Sequence, residues 1–539
     1  MGSKSDYFMK KVSLIIPVHN SLKVIKSCLK SVIKNFDFNI GEVLIIDDYS
    51  DNATEKYLTK ITKRYNNKLK LYRNTTNLGY LQSCNIAVKK VNSEIIIILN
   101  SDCEIPKKFT TKIIKCFEYD SNIIAASPIA SASANYFINP ILPCNIINKL
   151  LDKRKAIYPD IYNSEGFCFC VRGSYIDKYG LFDTVYNKGY CEEVDFCFGV
   201  QKQNKRTVLI DNLYVIHKRH RSFNKDHLKF ISQNNKILYS KWGELINEKE
   251  INQLKQPIID IIYETFGIMA PLFIFVRKLQ GLFRNNRIFT LKNIFKFYDN
   301  RKKYNKVVYT CISGIYDILP PIQKYVDTDW KYICFTDNKT LLRFKKLGIW
   351  NIKPLYFNKL DNTRNARWHK THPHILFPEY GESLWIDANI NILTPYIFDK
   401  IKKENKNILV PKHYCRTSIY QEFEAVKYSN KEDDKVISDT FDYIKSHNMP
   451  DNYGMNETNI IYRKHNNNKI KKLTENWWYM IENYSKRDQL SFSYVLFKNN
   501  ITVNEISIDN ARIDCFNFKI YSHNTQNTLT GKLLSNILK

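Results

Sequence analysis

Apolar runs that end in polar residues recur along the first half of the chain. Residues 12–18 (VSLIIPV) form one run, apolar residues at helical spacing follow, and residues 42–47 (EVLIID) form the next run. A third run, residues 95–99, stops at Asn100, Ser101 and Asp102. This alternation predicts an α/β fold with a mostly parallel sheet, and ligands bind at the carboxyl ends of such strands.

The same alternation begins again in the second half. Three further runs predict buried strands with polar ends, at residues 307–312, 331–337 and 382–390. Between the halves, residues 251–304 alternate apolar clusters with basic groups, which predicts a basic amphipathic helical connector. No residue-level repeat links the halves. We therefore expect two separate domains, at residues 10–250 and 305–539, rather than a tandem duplication.

Length and composition bound the class of protein. At 539 residues the chain exceeds the roughly 250 to 300 residues of a single hydrophobic core. With 44% hydrophobic and 14% aromatic residues it is globular rather than disordered or collagen-like. The net charge, 82 − 53 = +29, attracts polyanions such as nucleic acid, anionic lipid or nucleotide diphosphates. AT-rich codon usage produces the same lysine excess, so charge alone selects no partner.

Thirteen cysteines are scattered along the chain without a C-x-x-C pair, which argues against a zinc ribbon or a disulfide framework. Free thiols suit a reducing compartment, and the amino-terminal apolar run is too short for a signal peptide. We therefore expect a cytoplasmic protein. The most apolar stretch, residues 257–276, contains Asp260 and Glu264, which predicts a docked or interfacial segment, on the inner face of the cytoplasmic membrane, rather than a membrane span.

Polar clusters follow the predicted strands of the first half. They are Asp47-Asp48, Asn100 to Asp102, Glu192-Glu193 with Asp195, and His217. A nucleotide-sugar transfer needs these side chains: a carboxylate for the nucleoside, a carboxylate and a histidine for a divalent cation, and a carboxylate base for the acceptor hydroxyl. Taken singly, the same clusters also fit a turn or cap, a structural histidine, or the first turn of a solvated helix.

Seven stretches in order resemble the family 2 inverting glycosyltransferases of the GT-A fold, over about 210 residues. They are SLIIPVHN (13–20), IIDDYSD (45–51), NLG (77–79), NSD (100–102), GLFD (180–183), YCEEVDF (190–196) and VIHKRHRSF (215–223). The resemblance implies that a uridine-type nucleotide sugar is bound by Pro17, Asp47, Asp48, Asn77, Gly79 and Asn100.

The same resemblance implies a metal site and a base. Asp102 and His217 would bind Mn2+ or Mg2+, and Glu193 or its neighbour Glu192 would be the catalytic base, with Asp195 in the same motif. Asn100 stands where many members of the family carry Asp, so the metal site would depend on Asp102 and His217.

The second half contains a D-x-N sequence, Asp387 and Asn389, and a cationic run at residues 364–372. The D-x-N could replace a D-x-D metal clamp, and the cations could neutralise a diphosphate, since Arg binds phosphate with a planar fork. A strand-to-turn cap and a solvated basic helix face are the alternatives.

Six stretches in this half resemble a glycosyltransferase-like family, once a domain of unknown function, typified by plant mucilage and turgor-related proteins. They are residues 309–317, 330–337, 364–380, 384–390, 413–422 and 485–492, and coverage extends over about residues 305–525. The resemblance implies a metal at Asp387, a catalytic Asp488, and a nucleotide-sugar site formed by Arg367, Lys370, Asn389 and Gln489. His523 is a further candidate metal ligand.

These patterns predict a bifunctional enzyme with two GT-A-like heads that extends a bacterial surface polysaccharide, capsule or lipopolysaccharide, from nucleotide-diphosphate sugars. Its partners would be the sugar donors, a glycan or lipid-linked glycan acceptor, and the anionic inner membrane. A single-headed enzyme with a glycan-binding or scaffolding second domain is the alternative. Nucleic acid is not expected, because no recognition module is present and the lysines are dispersed.

Overall fold

The computed structural model describes residues 10–20, 22–133, 135–187, 189–218, 227–251, 257–284, 304–314, 317, 323–428 and 432–521. The chain forms two compact units. Unit 1 comprises Met1–Leu238 and Gln253–Gln280, and unit 2 comprises Tyr239–Asn252 and Gly281–Lys539. Each contains an eight-stranded, mostly parallel mixed sheet covered by helices, so the predicted α/β fold with two sheets is confirmed.

The sheet of unit 1 has the order β3-β2-β1-β4-β7-β6-β8-β5. Its strands are β1 (Lys10–Val18), β2 (Gly41–Asp47), β3 (Leu69–Arg73), β4 (Ser93–Leu99), β5 (Cys103–Glu104), β6 (Ile123–Ala130), β7 (Cys168–Arg172) and β8 (Arg206–His217). Strands β1 to β4 are parallel, β7 is antiparallel to β4 and β6, β6 and β8 are parallel, and β5 is antiparallel to β8. The central strands are continuous apolar runs because helices cover both faces.

The helices of the first 284 residues lie between these strands or, in the case of the last three, after β8. They are α1 (Leu22–Asn35), α2 (Asn52–Arg64), α3 (Tyr80–Val88), α4 (Phe109–Tyr119), α5 (Cys144–Leu151), α6 (Gly173–Tyr179), α7 (Glu192–Lys202), α8 (His227–Ile251), α9 (Ile258–Phe266) and α10 (Ala270–Arg284). Of the apolar positions at helical spacing, Ile25, Leu29 and Val32 are buried in α1 against the sheet, and Leu22, the first residue of the helix, is half-buried. Asp51 caps α2 by accepting a hydrogen bond from the Thr54 backbone N–H at 2.8 Å.

Helix α9 and the part of α10 up to Gln280 belong to unit 1 and form the first part of the predicted connector. One face of the pair is buried with α5 and β8 in a common apolar cluster that includes Ile261, Phe266 and Phe273. By length and composition Ile258–Arg277 could cross a membrane, but a third of it is buried in the unit. The opposite side exposes Tyr263, Ile268, Met269, Leu272 and Phe275. The rest of the predicted connector, 285–303, lies outside the described residues.

The sheet of unit 2 has the order β11-β12-β10-β9-β13-β16-β15-β17. Its strands are β9 (Lys306–Ile312), β10 (Lys331–Thr336), β11 (Lys346–Leu347), β12 (Trp350–Pro354), β13 (Glu382–Ile386), β15 (Ile408–Pro411), β16 (Ile460–Arg463) and β17 (Ser507–Ile508), while β14 (Ile390–Ile392) pairs separately with β18 (Phe518–Ile520). Strands β12, β10, β9 and β13 are parallel, β16 is antiparallel to β13 and β15, and β15 and β17 are parallel.

The helices of unit 2 cover this sheet and bury two apolar clusters against it. They are α11 (Lys339–Arg343), α12 (Asn362–Thr371), α13 (Pro373–Leu376), α14 (Tyr396–Glu404), α15 (Ile419–Tyr428), α16 (Asp434–Ser446), α17 (Asn468–Asn483), α18 (Gln489–Lys498) and α19 (Val503–Ile506). The cationic run of the sequence is α12, which contacts α17 and β9.

Candidate active sites

Asp47 lies at the carboxyl end of β2 in unit 1 and is fully buried. Its Oδ1 accepts a hydrogen bond from the Ser50 backbone N–H at 3.0 Å, and its Oδ2 forms an ion pair with Arg73. Arg73 ends the neighbouring strand β3, and the motifs give no sign of it. The predicted nucleotide site therefore contains a carboxylate held in place by a cation.

Asp48 organises the loop that carries the NLG motif. It accepts hydrogen bonds from the Asn74 side chain (2.9 Å) and from the backbone N–H groups of Leu78 and Gly79 (2.8 Å each). Gly79 adopts a positive φ of 84°, which favours glycine. Asp48 therefore shapes this loop.

The remaining residues predicted to bind nucleotide lie at the same edge of the sheet. Asn77 Nδ2 lies 3.0 Å from His19 Nε2, and His19 follows β1. Pro17 is paired with Ile46 in the register of β1 and β2. The structure thus gathers Pro17, Asn77 and the Asp47-Asp48 pair at one end of neighbouring strands, as the motifs predict.

Asp102 and His217 form the candidate metal site. Among the described residues, they and Cys103 are the one group of three potential ligands whose donor atoms lie within 4.8 Å of one another. His217 Nε2 lies 3.5 Å from Asp102 Oδ1, and its Nδ1 lies 2.8 Å from the Ala132 carbonyl oxygen. A hydrogen bond from Nδ1–H to that carbonyl leaves the Nε2 lone pair facing Asp102, which is how a ligating histidine is oriented. These residues fit a divalent cation.

Phe167 joins this site to the rest of the sheet edge. Its carbonyl oxygen accepts hydrogen bonds from the Asn100 backbone N–H at 2.9 Å and from the Cys103 thiol at 3.3 Å, and its ring stacks on His217 at 5.2 Å. Burial raises the pKa of the Cys103 thiol well above its usual value, so the group is a protonated donor. The sequence motifs indicate neither Phe167 nor Cys103.

Glu192, which is buried, and Glu193, which is half-buried, form a carboxyl pair at the amino end of α7. Burial raises the pKa of Glu193 to about 7, and burial together with the neighbouring Glu193 raises the pKa of Glu192 well above its usual value. A Cβ on Gly166 would lie 1.9 Å from Glu193 Oε1, so only glycine leaves space for this side chain. Gly166 precedes Phe167, and the carboxyl pair and the metal group therefore contact adjacent residues of one chain segment.

Glu165 is a third carboxylate that sequence reasoning missed. Its Oε1 accepts a hydrogen bond from the Asn135 backbone N–H at 2.8 Å, and its negative charge contributes to the raised pKa of Glu193. The NSEGF sequence around it resembles no motif, so only its position beside Gly166 identifies it. Asp195, predicted as part of the catalytic motif, is buried and accepts a hydrogen bond from the Tyr186 hydroxyl at 3.0 Å, which indicates a structural role.

Lys370 is the centre of the candidate site in unit 2. Its side chain is 1% exposed, and its Nζ donates to Asp488 Oδ2 (2.5 Å) and Thr458 Oγ1 (3.2 Å) and lies 3.6 Å from Asp387 Oδ1. Arg367 Nε lies 3.0 Å from Asp488 Oδ1. The predicted phosphate-binding Lys370 is therefore enclosed, while Arg367 is partly exposed at 19%.

Asp488 precedes α18 and is buried beside these two cations, which hold its pKa well below the usual range although burial opposes them. A carboxylate with so low a pKa is a weak proton acceptor, so this environment favours an ion-pairing role over the predicted catalytic one. Gln489, the first residue of α18, is half-buried beside it.

Asp387 and Asn389 follow β13 but do not fit a divalent cation. Asp387 Oδ1 accepts a hydrogen bond from Trp385 Nε1 at 2.8 Å and faces the Lys370 ammonium, and Asn389 Nδ2 donates to the Tyr521 carbonyl oxygen at 3.0 Å. In the described part of unit 2 no three potential ligands converge. A buried ammonium group lies beside Asp387, and the metal role of this residue stays a prediction; His523 lies outside the described residues.

Comparison with known proteins identifies both halves. The family "Glycosyl transferase family 2" matches residues 13–180, and "TOD1/MUCI70, glycosyltransferase-like domain" matches residues 285–520. The probable hexosyltransferase MUCI70 of Arabidopsis thaliana is 29% identical over 196 residues, 32% of this chain and 33% of that protein. The poly(ribitol-phosphate) beta-N-acetylglucosaminyltransferase TarS of Staphylococcus aureus is 33% identical over 122 residues, 22% of this chain and 20% of that protein. The matched part of the chain thus spans about a third or less of the length of these relatives.

Two solved structures are similar at lower identity. GalNAc-T7 with UDP, GalNAc and Mn2+ has a TM-score of 0.36 and 17% identity, covering 46% of this chain and 53% of that chain. S. aureus TarS 1-349 with UDP-GlcNAc has a TM-score of 0.32 and 20% identity, and the match covers 50% of this chain and 87% of that chain. By the two family matches, the chain carries a glycosyl transferase family 2 domain in its first half and a TOD1/MUCI70, glycosyltransferase-like domain in its second half.

Proposed function

We propose that unit 1 is an inverting glycosyltransferase that moves a sugar from a nucleotide diphosphate of the uridine type to a hydroxyl group of an acceptor. The observation that carries this proposal is the adjacency of Gly166, which contacts Glu193, and Phe167, which contacts His217. Direct displacement at a sugar carbon needs a base on one side and stabilisation of the leaving diphosphate on the other. Asp102 and His217 would hold Mn2+ or Mg2+, which when bound stabilises that leaving group.

Glu193 is the base in this proposal. With a pKa of about 7, it exists substantially as carboxylate near neutral pH yet remains basic enough to remove the proton of an attacking hydroxyl. Burial and the neighbouring Glu193 raise the pKa of Glu192 well above its usual value, which favours a protonated Glu192 that hydrogen-bonds to Glu193 and limits the negative charge in the site. The proton of the acceptor hydroxyl moves to the Glu193 carboxylate as the new glycosidic bond forms.

Turnover of nucleotide sugars tests this proposal. The full chain is incubated with UDP-, GDP- and dTDP-sugars and acceptor glycans, and the release of free nucleotide is measured. We expect Glu193→Gln to lower the rate of transfer by about 10²- to 10⁴-fold, while nucleotide binding is retained. Asp177→Asn, which changes an exposed carboxylate in α6, is the matched control. Full activity of Glu193→Gln would exclude Glu193 as the base.

We also propose that unit 2 is a second transferase head and that the acceptor is a bacterial surface polysaccharide such as capsule or lipopolysaccharide. The TarS relative acts, by its name, on poly(ribitol phosphate), which supports a polymeric acceptor. Two heads on one chain keep the product of one near the other, so successive transfers depend less on bulk diffusion.

A specific observation favours the alternative that unit 2 is a glycan-binding or scaffolding module. Its central carboxylate, Asp488, is neutralised by Lys370 and Arg367 and is a weak base. Asp102→Ala and Asp387→Ala, assayed separately for transfer, distinguish the two possibilities. Loss of a distinct transfer in Asp387→Ala supports two heads, whereas retention of every transfer supports the single-headed enzyme.

We further propose that the protein acts in the cytoplasm, bound peripherally to the inner face of the membrane. The exposed apolar side chains of α9, α10 and the turn between them, with Ile268 (98% exposed) in the turn and Leu272 (47%) in α10, suit the boundary between headgroups and acyl chains. Sedimentation with anionic vesicles tests this. Ile268→Asp with Leu272→Asp should lower binding by more than about tenfold, whereas Ile157→Asp, elsewhere on unit 1 and 53% exposed, should not. No binding of the unaltered chain would contradict it.

A further inference from the structure

The two sheets repeat one strand order although no sequence repeat exists. The series β3-β2-β1-β4 of parallel strands, followed by antiparallel β7 and then β6 and β8, corresponds strand for strand to β12-β10-β9-β13, β16, β15 and β17. In both units a short strand follows the fourth parallel strand and pairs antiparallel with a later segment of the chain: β5 pairs with the end of β8, and β14 pairs with β18 in a separate two-stranded sheet.

Backbone hydrogen bonds fix the correspondence residue by residue. In unit 1 the N–H of Lys218 donates to Asp102 O at 3.1 Å, and in unit 2 the N–H of Tyr521 donates to Asn389 O at 2.9 Å. Strand register pairs Cys103 with His217 and Ile390 with Ile520. Asp102, Cys103 and His217 thus correspond to Asn389, Ile390 and Ile520. The three potential metal ligands of unit 1 are replaced by one amide and two hydrocarbon side chains.

The acidic position has also moved. Asn100 and Asp387 correspond, because their backbone groups make the same two hydrogen bonds. The carbonyl oxygen of each accepts one at 3.0 Å from the N–H of the residue three positions later. The N–H of each donates one at 2.9 Å to the carbonyl oxygen of the residue before the antiparallel strand, which is Phe167 in unit 1 and Asn459 in unit 2. The one carboxylate of the D-x-N therefore occupies the position that is neutral in unit 1. Beside it lies the buried ammonium group of Lys370, which repels a second cation.

We infer that unit 2 binds its anionic ligand without a divalent cation, through the guanidinium group of Arg367. Lys370 acts as a positioning residue that neutralises Asp387 and Asp488, because its side chain is buried. Arg367, partly exposed on the same helix, is the group able to contact a phosphate oxygen. The identity of the ligand as a nucleotide diphosphate rests on the proposed function. The inference that unit 2 needs no divalent cation rests only on its own residues.

Counting bound Mn2+ tests the inference. The full chain is titrated with Mn2+ in the presence of saturating UDP, GDP or dTDP, and bound metal is measured by electron paramagnetic resonance against protein-free solutions. We expect one Mn2+ per chain, with affinity lowered by more than about tenfold in Asp102→Asn and changed less than about twofold in Asp387→Asn. In Asp387→Asn the new amide oxygen can still accept the Trp385 hydrogen bond, so folding should be retained; Asp451→Asn, exposed in unit 2, is the control.

The possible outcomes are distinct. A second Mn2+ that disappears in Asp387→Asn or His523→Ala, and persists in Asp102→Asn, overturns the inference. A single Mn2+ lost only in Asp102→Asn supports it. If the unaltered chain binds no Mn2+ at all, the inference for unit 2 stands and the metal site proposed for unit 1 fails, so the two proposals are separable.

Discussion

Glu193 and Asp488 occupy corresponding places in the two units, yet their environments drive their pKa values in opposite directions. Each lies at the amino end of a helix, α7 or α18, and contacts the second residue before the antiparallel strand, Gly166 or Thr458. Burial raises the pKa of Glu193 to about 7, whereas Arg367 and Lys370 hold that of Asp488 far below its usual range. A shared strand order thus positions a carboxylate without deciding what it does.

A helix that precedes the fourth parallel strand explains the difference. In unit 1 this helix is α3, and its Tyr80 hydroxyl donates to the Gly166 carbonyl oxygen at 3.3 Å. In unit 2 it is α12, whose Lys370 reaches Thr458 at 3.2 Å. A neutral phenol leaves a neighbouring carboxyl group protonatable, but an ammonium group keeps it ionised. The helix at this place in each unit therefore decides the charge of the carboxyl group: beside α3 it can take up a proton, and beside α12 it stays ionised and is neutralised by Lys370.

Removing the cation of unit 2 should have the largest effect. We expect Lys370→Met to destabilise unit 2 by about 3 to 5 kcal/mol, because it leaves the buried Asp488 carboxylate without its nearest partner. Denaturation followed by hydrogen exchange of peptides from each unit would measure it. Lys353→Met, on an exposed position, is the control, and adding Asp488→Asn should recover much of the loss. A loss of less than about 1 kcal/mol in the free energy of unfolding of unit 2 would show that Lys370 is not the main partner of the Asp488 carboxylate.

Gly166→Ala should abolish most transfer by unit 1 while sparing unit 2. The added Cβ would meet Glu193 Oε1 at 1.9 Å, so the base must shift, and a displacement of about 1 Å can lower a rate by about 10²-fold. Gly199→Ala in α7 is the matched control, since the nearest atom to its Cβ would be 4.0 Å away. Equal activity of the two variants would show that Glu193 is not held where the chemistry occurs.

Glu193 and Asp488 should make the stabilities of the two units depend on pH in opposite directions. Because the folded pKa of Glu193 is raised, its contribution to stability is greatest below the unfolded value near 4.5 and is lost as pH rises through about 7. Because the folded pKa of Asp488 is lowered, the contribution of Asp488 to stability is present above its unfolded pKa near 3.8 and is lost as pH falls. Hydrogen exchange against pH, with Glu193→Gln and Asp488→Asn as references, measures both; parallel trends in the two units would contradict this assignment.

The smallest expected effect is a shift in the pH profile of unit 1. Glu165→Gln removes a negative charge that raises the pKa of Glu193, while its amide oxygen can still accept the hydrogen bond from Asn135. The acid limb of kcat/KM should therefore move to lower pH, with little change in the maximal rate. Glu118→Gln, on the surface of α4, should leave the profile unchanged. An upward or absent shift would remove Glu165 from the site.

Much of unit 1 could be predicted from the sequence. The apolar runs locate β1, β2 and β4, and the polar residues after them, Asp47 and Asp102, lie at the carboxyl edge as expected. Glu165 and Arg73 could not be predicted, because neither belongs to a pattern and each reaches the site from a segment distant along the chain. The packing of α9 could not be predicted for a related reason: periodicity shows that α9 has an apolar face but not which surface covers it.

The sequence by itself determined that the chain contains two α/β sheets and that acidic residues follow their strands, because burial imposes a period on apolar positions and motifs are local. Only the tertiary structure decided that Asn389 and Ile520 replace Asp102 and His217, and that Lys370 lies between two carboxylates. Those relations depend on strand register and on distances between residues far apart in the chain. Such distances set the electrostatic environment of each site, and no local pattern encodes them.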